Sequence, residues 1–271
     1  MRTVSINKLR IGGNNPVRLM GVINTSPESF YRGSFVPEGS VLASATEMIQ
    51  AGADIIDVGA RSTAPGSRQI SVAEECSRLE LTLTELRGSG IPVSVDTMHA
   101  AALDLALTYD IDAINDIHGL SDEKYAAIAA DSGLPVIAMA ADREPGDARG
   151  ADETLQALQR VSSRAEQYGI LDLILDPGIG RWVPIRQTDD DWDLCRRFHE
   201  FSSLGRPLLA AISRKSFIGD LLAKPAEERL SGSLALTALL INAGADMVRA
   251  HDIRETADLI AICNHLLGRS G

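Results

Sequence analysis

The chain has few cysteines, a shortage of basic residues and no long apolar run. Its 271 residues include three cysteines, Cys76, Cys195 and Cys263, which are far apart and form no Cys-x-x-Cys pair. This spacing argues against a disulfide framework or a zinc site and favours a reducing compartment. With 26 basic and 37 acidic residues the net charge is −11, which argues against nucleic acid as a partner because a phosphate backbone requires a basic surface.

Membrane signals are also missing. No apolar stretch approaches the roughly 18 residues of a spanning helix, and the first residues, MRTVSINKLRIGG, contain no apolar signal segment. We therefore expect a cytoplasmic protein without a membrane partner. The hydrophobic fraction of 45% is enough for a sizeable core, and the length suits one barrel domain better than two domains.

Short apolar runs alternate with helical segments along most of the chain. Runs this short and this continuously apolar are typical of strands buried on both faces of a parallel sheet. The predicted strands are 19–24, 54–58, 92–96, 112–115, 135–139, 172–176, 207–212 and 246–249. The predicted helices are 37–51, 72–87, 99–109, 121–132, 152–167, 188–202, 229–242 and 253–267.

Eight such units predict a single-domain α/β protein, a (β/α)₈ TIM barrel over residues 19–271. Residues 1–18 are predicted to form a short hairpin or a plug ahead of the barrel. A doubly wound sheet is the structural alternative. It is disfavoured because the first strand is not followed by a Gly-x-Gly-x-x-Gly turn.

Polar side chains stand at the ends of the predicted strands, and in a barrel of this kind those ends meet at one rim. Asp96, Asn115 and Asp176 end three of the strands. Two carboxylates and an amide suit a flat heterocycle that presents N–H, NH₂ and C=O edges. Any one of these residues alone could simply cap the following helix. Three on converging strands predict a ligand site.

The first and last strands become neighbours when the barrel closes, and they carry a second polar group. Arg249 can bind phosphate bidentately, His251 can donate a hydrogen bond, and Asn24 can coordinate a hard cation. Together they predict a diphosphate pocket with room for Mg²⁺. A purely structural hydrogen bond is the alternative for His251.

Two further segments supply candidate contacts. Lys215 follows the seventh strand between Ser213 and Ser216, a position that argues against an ordinary solvated charge. The loop after the second strand holds Arg61 and Thr63, with a rigid turn at Pro65. Its polar groups are candidates for substrate contact, although hydroxyls in loops commonly only stabilise turns.

Seven blocks of sequence resemble the successive signatures of the dihydropteroate synthase family. They appear in the family's order over about residues 19–262, and such a collinear set is highly specific. The blocks are MGVINTSPESF, GADIIDVGARSTAPGS, VSVDT, INDI, LDPGIG, SRKSFIG and GSLALTALLINAGADMVRAHDI.

The resemblance implies a barrel that joins 6-hydroxymethyl-7,8-dihydropterin diphosphate to an arylamine and releases diphosphate. It also implies a homodimer and a site with three parts. By this resemblance, the pterin is held by Asp96, Asn115, Ile117, Met139, Asp176 and Lys215, the diphosphate by Arg249, His251 and Asn24, with Asn24 acting through Mg²⁺, and the arylamine is bordered by Thr63, Pro65 and Ser216.

The chain departs from the family pattern near the expected arylamine site. Arg61 stands where the family has Glu, Ala64 where it has Arg, and Arg181 where a Phe would flank the arylamine. Arg61 and Arg181 add two cations, which predict a phosphorylated ribosyl-aminobenzene, as used in methanopterin synthesis by archaea, in place of p-aminobenzoate. The alternative is that Arg61 forms a salt bridge with Glu74 or Glu75.

Two other functions remain open at this stage. A tetrahydropterin-dependent methyltransferase would share the Asp–Asn–Asp set but would have no obvious use for Arg249-x-His251 or SRKSFIG. A pterin-binding barrel that has lost turnover is the second, because the arylamine side is altered while the pterin side is intact.

Overall fold

The computed structural model describes residues 2–26, 35–62 and 68–270. Two short strands come first, followed by eight strands of one parallel sheet. The strands are β1 (Val4–Ile6), β2 (Leu9–Ile11), β3 (Arg18–Asn24), β4 (Ile55–Gly59), β5 (Val93–Asp96), β6 (Ala113–Asp116), β7 (Val136–Met139), β8 (Leu173–Asp176), β9 (Leu209–Ala210) and β10 (Met247–Ala250).

Helices follow the strands of the sheet and cover its outer face. They are α1 (Val41–Gln50), α2 (Val72–Leu86), α3 (Ala100–Ala106), α4 (Glu123–Ser132), α5 (Gly150–Tyr168), α6 (Thr188–Arg196), α7 (Ser216–Leu222), α8 (Leu230–Asn242) and α9 (Ile253–Leu267), with 3₁₀ turns at Phe198–Leu204 and Ala226–Glu228. In the part of the chain described, no helix is both long and apolar enough to cross a membrane.

The sheet closes on itself into a barrel. Its strand order is β8-β7-β6-β5-β4-β3-β10-β9, and a parallel bridge between Leu175 and Leu208 joins the two ends. The Leu175 N–H also donates to the Pro207 carbonyl at 2.9 Å across this seam. The predicted (β/α)₈ barrel is therefore confirmed.

The interior of the barrel is apolar at its amino-terminal end. One side chain from nearly every strand points inward there, and Val4, Ile6 and Ile11 of the β1–β2 hairpin pack against them. The inward-pointing residues are Met20, Ile55, Ala113, Ile137, Ile174, Leu209 and Met247. A separate and larger core lies between the outer faces of the strands and the helices.

The segment around β9 differs from the sequence prediction. The predicted strand 207–212 shortens to two residues because the chain turns early, and the Lys215 N–H bonds the Ile212 carbonyl at 3.2 Å. The helix α7 begins directly after Lys215, where no helix was predicted. Its seven residues are too few to show a helical repeat. The predicted helix 188–202 is divided into α6 and a 3₁₀ turn.

Replacing Ile6 tests how much the hairpin contributes to stability. Ile6 is fully buried against the amino-terminal interior of the barrel, so Ile6→Ala should lower the free energy of unfolding by about 2–5 kcal/mol. Urea denaturation measures the loss, and Ser5→Ala, at an exposed position of the same strand, is the matched control. A loss below about 1 kcal/mol, the range of surface changes, would show that the hairpin is dispensable.

Candidate active site

The alternation of side chains along each strand produces the site. Residues two apart on a strand share a face, so the inward residues that follow the apolar interior layer are Asp57 after Ile55 and Asp176 after Ile174. The same two-residue step from the interior layer makes Asn115, Met139 and Arg249 point inward on β6, β7 and β10. A polar layer therefore lies directly above the apolar one, at the carboxyl ends of the strands where barrel enzymes have their sites.

Arg249 is at the centre of this layer and binds two carboxylates. Its Nε donates to Asp57 at 2.7 Å and its Nη2 donates to Asp96 at 3.1 Å. The Nδ2 of Asn115 donates to the same oxygen of Asp57 at 3.0 Å. The structure thus brings together Asp96, Asn115 and Arg249, which the sequence analysis had assigned to two different parts of the site.

Asp57 is a site residue to which the sequence analysis assigned no role. It is fully buried, and its Oδ1 has no hydrogen-bond partner among the described residues. An unsatisfied buried carboxylate oxygen is costly, so Oδ1 is a natural acceptor for a ligand's N–H. The available signal was the one charged residue inside the apolar run IIDVG, because an Asp is almost never fully buried unless it is paired.

Burial shifts the protonation of the carboxylates in the polar layer. Desolvation, reinforced by the charge of Asp57, raises the pKa of Asp96 to about 7. Burial also raises the pKa of Asp176, opposed by the Gly178 N–H, which donates to the Asp176 carboxylate at 2.8 Å, and by the nearby Lys215. Near neutral pH, Asp96 can therefore act as a hydrogen-bond donor or as an acceptor.

Lys215 lies over an aromatic ring on the other side of the mouth. Its Nζ is 4.7 Å from the ring centroid of Trp182, and a Cβ at Gly180 would lie 3.0 Å from this Nζ, so the Lys215 side chain would have to shift. Burial lowers the pKa of Lys215 to about 8. The Trp182 indole N–H donates to the Gly178 carbonyl at 2.9 Å, which fixes the ring. Trp182, whose role the sequence analysis missed, is thus the neighbour of Lys215, whereas Arg181 is exposed.

His251 and Asn24 also lie at this end of the barrel. The Nδ1 of His251 is 3.0 Å from the Ser213 hydroxyl, and desolvation together with Arg249 lowers the pKa of His251 to about 3. Neutral His251 can supply a hydrogen bond but no charge. Asn24 ends β3, and its Oδ1 accepts the Ser26 N–H at 2.8 Å. Of the predicted apolar neighbours of the pterin, Ile117 and Met139 are both buried.

Arg61 is engaged by its own loop and by α2. Its Nε donates to Glu75 at 2.7 Å, and its Nη2 donates to the Ile70 carbonyl at 2.7 Å. Glu75 also accepts the Thr97 hydroxyl at 2.6 Å. This geometry favours the salt-bridge alternative for Arg61 over a contact with substrate phosphate.

The remaining predicted arylamine contacts are only partly covered by the structure. Ser216 begins α7 and is half-buried beside Lys215. Thr63 and Pro65 lie outside the described residues.

Comparison with known proteins agrees with this geometry. Residues 20–251 match the family model described as "Pterin binding enzyme". The chain is 36% identical to the dihydropteroate synthase of Bacillus subtilis over 93% of this chain and 90% of the relative.

Solved structures give the same result. A dihydropteroate synthase from Coxiella burnetii in complex with pteroic acid superposes with a TM-score of 0.84 at 30% identity, covering 98% of each chain. The Xanthomonas albilineans enzyme with 4-aminobenzoic acid gives a TM-score of 0.85 at 30% identity over 97% of each chain. The identity over nearly the whole length and the shared barrel show that this chain belongs to the dihydropteroate synthase family.

Proposed function

We propose that the protein is a transferase that condenses 6-hydroxymethyl-7,8-dihydropterin diphosphate with p-aminobenzoate and releases diphosphate. The observation that carries the proposal is the polar layer at the barrel mouth, in which Asp57, Asp96 and Asn115 surround Arg249. Membership of the family supports the same reaction, as do the two relatives that bind pteroic acid and 4-aminobenzoic acid.

The pterin half of the substrate fits the inward-facing layer. Asp96, Asn115 and Asp176 offer donors and acceptors to the edges of a flat heterocycle, and Asp57 Oδ1 adds an acceptor. Lys215, on the Trp182 side, supplies a cation to a pterin carbonyl or ring nitrogen, and the side chains of Ile117 and Met139 supply apolar contacts.

The chemistry requires a leaving group, a stabilised carbon and a positioned amine. The bond between the pterin's exocyclic methylene carbon and the bridging diphosphate oxygen breaks, and the electron pair leaves with diphosphate. Arg249 offsets the developing negative charge, while neutral His251 contributes a hydrogen bond. The amine nitrogen then bonds to the methylene carbon and loses a proton to water or to the diphosphate, so positioning of the amine governs this step. We assign no general base.

We propose Mg²⁺ as the accompanying ion, with Asn24 as its protein contact. Among the described residues no group of three or more His, Cys, Asp or Glu side chains could hold a metal. Mg²⁺ commonly binds substrate phosphates and waters with few protein ligands, and the Asn24 Oδ1, which accepts one N–H, has a second lone pair for it. Bound there, the ion would neutralise charge on the diphosphate.

For the second substrate we favour p-aminobenzoate over a phosphorylated arylamine. Arg61 is only 9% exposed, and its three nitrogens already donate to Glu75, Gln69 and the Ile70 carbonyl, so it is not available to a phosphate. Of the remaining candidates, Arg181 is exposed and Ser216 is half-buried at the start of α7, and both stay proposed contacts, as do Thr63 and Pro65.

The direct test is turnover with a choice of amines. The wild type should release one diphosphate per condensation product with p-aminobenzoate and should use the phosphorylated ribosyl-aminobenzene less well. Asp176→Asn should lower kcat/KM by about 100-fold or more, because a carboxylate that accepts from the pterin becomes an uncharged amide, at a stability cost within about 1 kcal/mol. Asp172→Asn, at the exposed position just before the same strand, is the matched control.

Calorimetric binding measurements beside this assay decide between the alternatives. Binding of a methyl-tetrahydropterin but not of the pterin diphosphate would favour a methyltransferase, and binding without diphosphate release would favour a non-catalytic barrel. An Arg61→Met variant with a changed preference between the two amines would contradict the structural role of Arg61.

The depressed pKa of Lys215 predicts an alkaline limit to activity. Since burial lowers this pKa to about 8, the ammonium form is present below pH 8 and is lost as the pH rises. The kcat/KM for the pterin diphosphate should fall about tenfold per pH unit above the pKa. Lys215→Arg should abolish this alkaline fall in kcat/KM because a guanidinium remains charged. Lys224→Arg, at an exposed position, should retain the fall. An unchanged pH profile of kcat/KM in Lys215→Arg would assign the alkaline fall to another group.

We also propose that the protein is a homodimer that pairs through α8 and α9. On α8, Ser233 and Thr237 face the core together with Leu240 and Ile241, while Leu239 is 64% exposed. On α9, Ile262 and Leu266 are 62% and 77% exposed. Exposed apolar side chains on two helices that pack against each other indicate a surface that is covered by another protein, and the family resemblance implies a second copy.

Charge substitution tests this surface. Leu239→Glu combined with Leu266→Glu should convert the dimer to a monomer in sedimentation analysis, because two carboxylates would be buried without partners. Leu171→Glu is the control, since Leu171 is 69% exposed but lies between α5 and β8, outside both helices of the proposed surface. A wild type that sediments as a monomer would refute the proposal.

We assign the protein to the cytoplasm. Its three cysteines are all free thiols, which suits a reducing compartment.

A further inference from the structure

Arg214 adopts a backbone conformation that is unusual for a residue with a side chain. Its φ is +57°, in the left-handed region that favours glycine. It lies between Ser213, which contacts His251, and Lys215, which contacts Trp182. A strained residue of this kind persists only where its surroundings hold it in place.

The side chain of Arg214 is held on two sides. Its Nε and Nη2 donate to the two carboxylate oxygens of Asp252 at 2.8 and 2.7 Å. Its Nη1 donates to the carbonyls of Ala226 and Glu227, both at 2.8 Å. This planar bidentate pairing is specific to a guanidinium.

The backbone of Arg214 is held as well. Its N–H donates to the Ser233 hydroxyl on α8 at 2.9 Å, and its carbonyl accepts from Arg229 at 3.1 Å. The residue is nearly fully buried, so these bonds are shielded from water. The left-handed peptide is therefore fixed from α8, from the 3₁₀ turn and from the loop after β10.

Two parallel links thus join the loop after β9 to the loop after β10. Ser213 pairs with His251, and the next residues along each chain segment, Arg214 and Asp252, pair with each other. Because Arg214 sets the backbone direction between Ser213 and Lys215, it controls where both of those side chains point.

We propose that Arg214 and Asp252 form a positioning pair that sets Lys215 and His251 for the pterin diphosphate. The roles of Lys215 and His251 rest on the proposed function. Arg214 and Asp252 themselves act through their neighbours, so they are positioning residues, and the kinetic defect of a variant should concern the pterin diphosphate and not the arylamine.

The experiment compares variants of graded severity in the full-length enzyme. Arg214→Lys keeps a cation beside Asp252 and should fold, yet it loses the bidentate geometry. We expect its KM for the pterin diphosphate to rise about tenfold, because a displaced Lys215 weakens the binding of this substrate alone. The KM for p-aminobenzoate should stay within about twofold of the wild-type value. The double variant Arg214→Met/Asp252→Leu leaves no unpaired charge and should show a defect no larger than that of Arg214→Met alone, because the two residues act as one unit.

Arg206→Met is the matched control. Arg206 is also a buried arginine, bonded to the Leu171 carbonyl and to Glu166, but it precedes β9 at the opposite end of the barrel. It should lose stability and keep both KM values. If Arg214→Lys and the double variant likewise keep both KM values, Arg214 is only a structural residue and the proposal is wrong.

A readout without turnover separates this proposal from the proposed function. The ring ¹⁵N resonances of His251 report its hydrogen bond to Ser213. They should shift in Arg214→Lys and stay unchanged in Arg206→Met, even if the wild type fails to condense the two substrates. Unshifted resonances in Arg214→Lys would contradict the positioning role whatever the activity.

Discussion

The contact between Arg249 and the two carboxylates of Asp57 and Asp96 is the interaction on which the barrel mouth depends. Asp57 is fully buried, and a buried carboxylate is tolerated only when a cation and hydrogen bonds compensate for lost hydration. Arg249 supplies the cation and Asn115 supplies a hydrogen bond. Without Arg249 two carboxylates would repel each other in a region of low dielectric, so the pair would have to take up a proton.

This arrangement also prepares the mouth for a charged substrate. Arg249 binds Asp57 through Nε and Asp96 through Nη2, so its position does not depend on a ligand. A preorganised guanidinium costs little reorganisation when negative charge develops on a leaving diphosphate. Because the pKa of Asp96 is raised to about 7, Asp96 can meet either a donor or an acceptor on the heterocycle near neutral pH.

Much of the fold could be predicted, because continuous apolar runs with polar ends are what a parallel barrel requires of its strands. The site was harder to predict. Asp96, Asn115 and Asp176 were found since they end strands, but Asp57 lies inside one, and its role depends on Arg249, which is 192 residues away. Arg214 was missed for a related reason: a left-handed φ in a residue other than glycine leaves no mark in the sequence. Trp182 could not be separated from Arg181 without knowing which of the two faces Lys215.

The departure at Arg61 shows how far a substitution in a motif can be interpreted from the motif alone. An added arginine near a substrate site suggests an anionic ligand, yet here Glu75 is within hydrogen-bonding distance. Burial alone would raise the pKa of Glu75, but hydrogen bonds from His99, Thr97 and Arg61 outweigh it and hold that pKa below its usual value. Glu75 is therefore anionic at neutral pH and cancels the charge of Arg61. The added cation stabilises the contact between its loop and α2, and so it gives no reason to replace the carboxylate of p-aminobenzoate with a phosphate.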